Sequence, residues 1–335
     1  MPTIKDISEK SGVSTGAVSR ILNNDPYMSV TEETRQKVIN AARELGYKKK
    51  KKSAAGKNNF TIGIVQWFSP QQEIEDSYYL YIRHGIEDFC IRNNITVYRA
   101  VKTDYAYVDS LRDADALICI GKFGTADIRK LKKLCKTLLF IDMELEDDTV
   151  STMNLDYRNA MIQAMDFLTE NGHTQIGFLG GKEYLENHEL YQDKRRDYFI
   201  EYCEKHNVDY QDYMLLDRFS TKSGYDMMLN LIRKKKMPTA IFAASDPIAI
   251  GALSALTDRG YHVPDDISII GFDDTDASGF TNPPLTTIHA PAYQMGYYGA
   301  GVVYHLLPSQ SKTAMKMKLP CSLVIRGSVK KKAES

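Results

Sequence analysis

The stretch TIKDISEKSGVSTGAVSRILN, Thr3 to Asn23, decides how the N-terminal part of the chain folds. Thr3 and Asp6 stand in capping-box register, in which a hydroxyl and an acid three residues on satisfy each other's backbone N–H groups. Ile4 and Ile7 then begin an apolar face at helical spacing, which predicts a short first helix. Gly12-Val13-Ser14 breaks it. Ser14 is placed to cap a second helix, whose Val18, Ile21 and Leu22 repeat the i, i+3, i+4 pattern. Two short helices meeting at a glycine-containing turn read as a helix-turn-helix, in which the second helix enters the major groove of DNA. That geometry turns Thr15, Gly16 and Ala17, with Arg20 one turn on, toward bases or phosphates. Arg20 is the only long donor among them. A guanidinium reaches guanine O6 and N7 in bidentate fashion, whereas Gly16 offers backbone and Ala17 a methyl, so direct base readout is expected to be sparse. A generic helical hairpin is the alternative.

Outward from this motif, a third helix is expected from Thr31, with Glu32 and Glu33 where the helix dipole favours acids. It packs through Val38, Ala41, Ala42 and Leu45 and stops at Gly46. Three helices in about 45 residues lie near the lower size limit for independent folding. Lys48 to Lys52 and Ser53-Ala54-Ala55-Gly56 follow, a charge run and small residues with nothing to bury, and read as a linker. Residues 1–57 carry 12 Lys or Arg against 6 Asp or Glu, although the whole chain has 43 of each sign. The basic end is the candidate for phosphate contacts.

With 335 residues, 43% of them hydrophobic, the chain has apolar material for two or three cores. From Phe60 onward, short apolar runs alternate with amphipathic helical stretches. The expected strands are 60–65, 96–101, 116–120, 137–141, 175–179, 239–243 and 267–271. Such alternation implies parallel sheets covered by helices, and the length suggests two doubly wound α/β lobes. In these sheets ligands bind beyond the carboxyl ends of the strands, where Asp142, Asp246 and Asp273 fall. Carboxylates accept hydrogen bonds from sugar hydroxyls and aromatic rings cover a sugar's apolar face, so acids with aromatics suit a sugar pocket. Strand-end acids also cap helices, and position alone leaves both readings open.

Other signals are weaker. Cys90, Cys119, Cys135, Cys203 and Cys321 are odd in number and lack zinc or disulfide spacing, so they read as packed, reduced thiols. GFLGGK, from Gly177, follows a strand but lacks both phosphate-loop and dinucleotide spacing. The seven histidines form no ligand-spaced pair, so neither metal nor cofactor is expected. No basic-plus-apolar signal segment or membrane span is read, and the expected location is the cytoplasm. An enzyme on an α/β fold would need a nucleophile with its base, a metal cluster or a cofactor fingerprint. A transport-type sugar-binding protein would need an export signal and would carry no helix-turn-helix.

ISEKSGVSTGAVSRILN (Ile7–Asn23) with VTEETRQKVINAARELGY (Val30–Tyr47) resembles the N-terminal domain of the lactose-repressor/galactose-repressor family of transcriptional regulators. The resemblance runs on through GHTQIGFLGG (from Gly172), PTAIFAASDPIAIGAL (from Pro238), PDDISIIGFDD (from Pro264) and NPPLTTI (from Asn282). SYYLYIRHGIE, from Ser77, is similar to the branch holding the repressor of the evolved β-galactosidase operon and several galactose-responsive regulators. The family implies a homodimer on a pseudo-palindromic operator in double-stranded DNA. It also implies a periplasmic-binding-protein-like core, with a small effector between the lobes that sets DNA affinity. The implied partition is a head over 1–47, a hinge over 48–59, one subdomain over 60–160 with 290–318, and the other over 161–289 with 319–330.

Position by position, the resemblance assigns DNA contact to Thr3, Ser14, Thr15, Gly16, Ala17, Ser19, Arg20, Asn23 and the linker lysines Lys48, Lys49 and Lys50. It assigns effector contact to Tyr78, Tyr79, Asp142, Arg195, Phe219, Ser245 and Asp273. Asp246 reads as a structural helix cap, and Trp67 and Glu73 as first-loop residues that could line the pocket. Tyr198 replaces the glycine of the family's Arg-x-x-Gly-Phe pattern. The hinge also departs from the family: no leucine lies between Leu45 and Leu80 and no proline between Pro26 and Pro70, so the usual minor-groove wedge is missing. Phosphate neutralisation by Lys48 to Lys52 is expected in its place, against the alternative of a solvated linker. A sugar is the first expectation for the effector and a purine corepressor the second, since Phe219 would stack on a base as readily.

Overall fold

A computed structural model of the chain describes residues 2–22, 30–47, 60–104, 106–185, 189–309 and 313–332. Two compact units divide it, one ending at Asn58 and the other beginning at Asn59.

The first unit is a three-helix head of α1 (Ile4–Ser11), α2 (Thr15–Leu22) and α3 (Glu32–Glu44). The capping box forms as the sequence implies: Thr3 Oγ1 accepts the Asp6 N–H at 3.3 Å and Asp6 Oδ2 accepts the Thr3 N–H at 2.7 Å. Gly12 ends α1 in the left-handed region at φ 69°, where a side chain would be strained. Ser14 Oγ accepts from Ala17 N at 3.3 Å and opens α2. Ile7, Val18, Ile21, Val38, Ala41 and Ala42 are buried together, which brings the three apolar stripes into one small core.

The second unit contains two six-stranded sheets. The first sheet uses β1 (Thr61–Gln66), β2 (Thr96–Val101), β3 (Ala116–Ile120), β4 (Leu138–Ile141) and β5 (Ser151–Leu155). Its helices are α4 (Pro70–Glu75), α5 (Tyr78–Arg92) and α6 (Thr125–Leu134). The chain then passes through Asp156 into α7 (Tyr157–Glu170), which packs against elements of the second sheet, so a subdomain boundary at 160/161 falls inside a helix. The second sheet is built from β6 (Ile176–Gly181), β9 (Met214–Asp217), β10 (Ala240–Ala243), β11 (Ser268–Asp273) and β12 (Thr286–His289). It is accompanied by α8 (Lys194–His206), α9 (Thr221–Arg233), α10 (Asp246–Asp258) and a hairpin of β7 (Glu183–Tyr184) with β8 (Leu190–Tyr191). The chain returns through α11 (Ala292–Ser309), which packs on α5, and β13 (Lys316–Leu319) in the first sheet, and ends with β14 (Ser322–Val324) in the second.

The strand orders are β13-β5-β4-β3-β1-β2 and β14-β12-β11-β10-β6-β9, and only β14 runs antiparallel to its neighbour. Apart from the added edge strands, both lobes therefore have the 2-1-3-4-5 order of a doubly wound sheet. Its switch points lie between β1 and β3 in one lobe and between β6 and β10 in the other, where crossovers leave in opposite directions and open a crevice. The loops at those points carry Trp67 and Lys122 in the first lobe, and Lys182 and Ser245 in the second.

The seven expected strands all form, within two residues at each end. β5, β9, β12, β13, β14 and the hairpin form in addition to the expected strands. In STMNL, KMKL and SLV, polar or charged residues interrupt the apolar run that marks a buried strand.

Candidate functional site

At the carboxyl end of β4, Asp142 adopts φ 62° and is buried. Its Oδ2 accepts from Tyr79 Oη at 2.7 Å and Lys122 Nζ at 2.6 Å, while Oδ1 accepts from Tyr157 Oη at 2.5 Å. Burial works to raise the Asp142 pKa, but the Lys122 ammonium and these donors outweigh it and hold the carboxyl below its usual value. Lys122 is the converse case: burial disfavours its charge, and the Asp142 carboxylate more than restores it. Lys122 also lies 4.8 Å from the centroid of the Tyr191 ring, on the hairpin of the second lobe. Asp142 is thus the centre of a network with three side-chain donors on its two oxygens.

Across the cleft, Asp193 caps α8 and accepts the Arg195 Nε at 3.0 and 3.2 Å. Arg195 Nη1 donates to the Ala244 carbonyl at 2.7 Å, just beyond β10. Its guanidinium lies 4.9 Å from the Phe219 ring, 5.3 Å from Phe272 and 5.7 Å from Tyr157. Burial opposes the charge of Arg195, and Asp193 with the surrounding carboxylates keeps it protonated. Phe219 is seated directly on Gly181, where a Cβ would come within 2.1 Å of its ring, so only glycine fits under it.

Asp273 ends β11 at φ 108°, 8% exposed, and its Oδ2 has no hydrogen-bond partner among the described residues. Burial first, then the neighbouring carboxylate of Asp76, pushes its pKa well above the ordinary value. With Tyr78, Tyr81, His289 and Tyr293 it lines a hollow of about 340 Å³. Tyr78 Oη lies 3.5 Å from Met295 Sδ.

Two expected residues are placed differently. Ser245, 1% exposed, is the cap of α10 and its Oγ accepts from Ile248 N at 3.5 Å. Asp246, read as the cap, is instead the first residue of that helix. It accepts from Thr275 N at 2.7 Å and Thr287 Oγ1 at 2.6 Å, which ties α10 to β12 and the loop after β11. Trp67 does line the cleft, but Glu73 pairs with Arg83 at 2.9 Å and with Gln66. Tyr198, in place of the family glycine, lies under Arg158 at 4.9 Å.

Lys122, Tyr157, Glu183 and Asp193 join the site in addition to the residues expected from sequence. Asp193 carried a readable signal, an acid two residues before Arg195 at a helix start. Lys122 and Tyr157 are brought in by long-range packing alone. Glu183 sits on the hairpin with its carboxyl pushed up to about 7 by burial, against the lowering influence of Lys122 and Arg195.

In the head, Thr3, Ser14, Thr15, Gly16 and Arg20 are exposed, and Ala17 and Ser19 half-buried. A Cβ added at Gly16 would meet open space. Asn23 and Lys48, Lys49 and Lys50, with the rest of the linker, lie outside the described residues. Among those described, no helix is long and apolar enough to cross a membrane.

A capped helix-turn-helix and a core of two doubly wound lobes facing across a charged, aromatic cleft define a DNA-binding regulator with a ligand-binding core. A family model for bacterial regulatory proteins of the lacI family matches residues 3–50, and one for a periplasmic binding protein-like domain matches residues 165–329. The HTH-type transcriptional regulator GalR of Streptococcus thermophilus is 35% identical over 341 residues, covering 98% of this chain and 100% of its own length. The HTH-type transcriptional repressor MelR of Bacillus subtilis (strain 168) is 33% identical, covering 98% and 97%. The lac repressor dimer bound to operator and the anti-inducer ONPF is similar in fold, with a TM-score of 0.73 at 24% identity, covering 98% and 99%. The chain belongs to the lacI family of bacterial regulatory proteins and is a helix-turn-helix transcriptional regulator.

Proposed function

We propose that this regulator represses a sugar-utilisation operon, with a galactoside as the first expectation, and that a sugar held between the lobes sets its affinity for operator DNA. The observation that carries the reading is Asp273 Oδ2, buried and without a hydrogen-bond partner among the described residues, within electrostatic reach of Arg195, whose guanidinium lies over the Phe219 ring. A buried acceptor left unpaired costs free energy until a ligand supplies a donor, and sugar hydroxyls are such donors. Phe219 lines the cleft and offers a ring to the apolar side of a pyranose, with Tyr79 packed behind Trp67 and Phe68. The Asp142 network acts by fixing Tyr79 and by joining the lobes. Ser245 acts through its helix cap. A relative in fold, CelR, has been solved with cellobiose, which supports the same class of occupant here.

The head contacts DNA through Thr3, Ser14, Thr15, Gly16, Ala17, Ser19, Arg20 and Asn23, with Lys48 to Lys50 on phosphates. A homodimer places two such heads on a pseudo-palindromic operator in the cytoplasm. The protein works by binding, without turnover, and the coupling between effector and operator is reciprocal.

Thermal unfolding against galactose, lactose, glucose and purines tests the reading, because a ligand of the native state raises the melting temperature. A rise with a galactoside supports it. A rise with purines alone makes the cleft a base-stacking corepressor site and overturns the sugar.

A further inference from the structure

We propose that Glu183, on the β7–β8 hairpin of the second lobe, makes closure of the lobes proton-linked: bringing the hairpin against the first lobe takes up a proton on this carboxyl, so the lobes part more readily as pH rises. The inference concerns the lobes themselves and does not rest on what the effector is.

The hairpin is one of the places where the second lobe touches the first. Tyr191, paired with Glu183 across the hairpin, has its ring centroid 4.8 Å from Lys122 Nζ and its hydroxyl against the Glu144 backbone. Lys194, just beyond the hairpin, lies 4.0 Å from the Glu144 carboxylate. These contacts surround a hollow of about 20 Å³.

The charges around that hollow do not balance. The first lobe contributes Lys122 after β3, and Asp142 and Glu144 after β4. The second contributes Glu183 on the hairpin, and Asp193, Lys194 and Arg195 where α8 begins. Lys122 is taken by Asp142 at 2.6 Å, Arg195 by Asp193 at 3.0 Å and Lys194 by Glu144. Tyr157 of α7 donates to Asp142 as well. Glu183 is the fourth acid against three cations, and among the described residues its carboxyl has neither hydrogen bond nor ion pair. On its other side lies the mouth of the cleft, where Lys102 is held by Asp127 at 3.5 Å, and Lys182 and Arg218 are exposed beside Glu75, so that water and salt screen them. A hollow of about 20 Å³ has room for one water molecule and not for the cationic group of a ligand. A proton is the charge that fits.

Closing the hairpin strips water from this carboxyl and sets it near Asp142 and Asp193, and protonation removes both costs. In the closed lobes burial accordingly holds Glu183 up at about 7, with Lys122 and Arg195 opposing it only in part. With the lobes parted, the hairpin faces solvent and the carboxyl returns to about 4.3. The closed form therefore binds the proton more tightly. Its advantage is complete below about pH 4 and is lost as pH rises through about 7, so that between about pH 6 and 8 the ratio of closed to open lobes falls by at most about tenfold.

Trp67, the single tryptophan of the chain, lines the mouth together with Glu183 and Tyr184 and so reports closure. Its fluorescence in the full-length protein is to be followed from about pH 5.5 to 8.5 beside small-angle scattering, in the wild type and in Glu183→Gln, an isosteric change at a half-buried hairpin position that leaves the side chain neutral at every pH. Asp246→Asn is the control, because that carboxyl is also pushed up to about 7. The expected result is a transition near pH 7 in the wild type and in Asp246→Asn, with the larger radius of gyration on the alkaline side, and the acid-side signal throughout in Glu183→Gln. A transition that Glu183→Gln retains, or a wild type in which neither signal changes, overturns the proposal. A transition driven by sodium or potassium at fixed pH would put a metal cation on the carboxyl in place of the proton and would overturn it too.

Discussion

Tyr157 Oη, at the first residue of a helix packed on the second sheet, donates at 2.5 Å to Oδ1 of Asp142, at the end of a strand in the first. The bond spans the two lobes, and its acceptor is the carboxylate that also neutralises buried Lys122. Opening the cleft must break or bend it, so it is one of the contacts through which lobe geometry is set.

Tyr157→Phe removes one donor and leaves Asp142 paired with Lys122 and Tyr79. A hydrogen bond to a charged group contributes about 1.5–3 kcal/mol, and denaturant unfolding is expected to show a loss in that range. Asp142→Ala strands the Lys122 ammonium and is expected to cost more, about 3–5 kcal/mol. The reverse order of severity would mean that Lys122 finds another partner.

How much of this was legible from sequence depends on the range of the interactions involved. The head was readable because its determinants are local: a cap at Thr3, a turn glycine at Gly12 and apolar residues three and four apart. The buried strands of the core were readable as apolar runs. KMKL and SLV were not, because charged or polar residues interrupt their apolar runs and both are half-exposed edge strands. Asp142, Arg195, Phe219 and Asp273 were reached through position and resemblance. Tyr157 and Lys122 gave no local signal, since a tyrosine starting a helix and a lysine after a strand are ordinary until distant segments close on them. Asp246 is structural, as its position implies, but strand-end acids and caps share a position, and only the fold shows Ser245 taking the cap while Asp246 ties α10 to β12.

Burial raises the Asp246 pKa from 3.8 to about 7, partly opposed by its threonine donors. The native state therefore holds this proton more tightly than the unfolded chain. Its stabilising contribution is complete below about pH 4 and is lost as pH rises through about 7, with a slope of at most about 1.4 kcal/mol per pH unit. The stability of the wild type relative to Asp246→Asn is expected to decline over that window. A difference independent of pH would place the titration elsewhere.

Gly16→Ala meets open space within the head and exchanges a glycine in the first turn of α2 for alanine, which stabilises the helix by at most about 0.5–1 kcal/mol, the figure for a helix interior. Hydrogen exchange of the head amides should slow accordingly. Operator affinity should nevertheless fall, because the added methyl stands on the DNA-facing surface; unchanged affinity would remove Gly16 from the interface.

Arg20→Ala is expected to cost about 1–3 kcal/mol on the operator and to relax discrimination at one base pair. Reversing Lys48, Lys49 and Lys50 to glutamate should instead weaken binding to all sequences. It should also flatten the dependence of log K on log salt by about 0.9 for each phosphate no longer neutralised. An unchanged salt slope would leave the linker as a solvated spacer.

The most direct measurement is operator affinity at fixed salt with and without saturating lactose or melibiose, in the wild type and in Asp273→Asn. Coupling between the cleft and the head is expected to change the wild-type operator Kd by about 5- to 150-fold, in either direction, and to be much reduced in the variant. A saccharide that binds the core and leaves operator affinity unchanged would contradict allosteric control through the cleft.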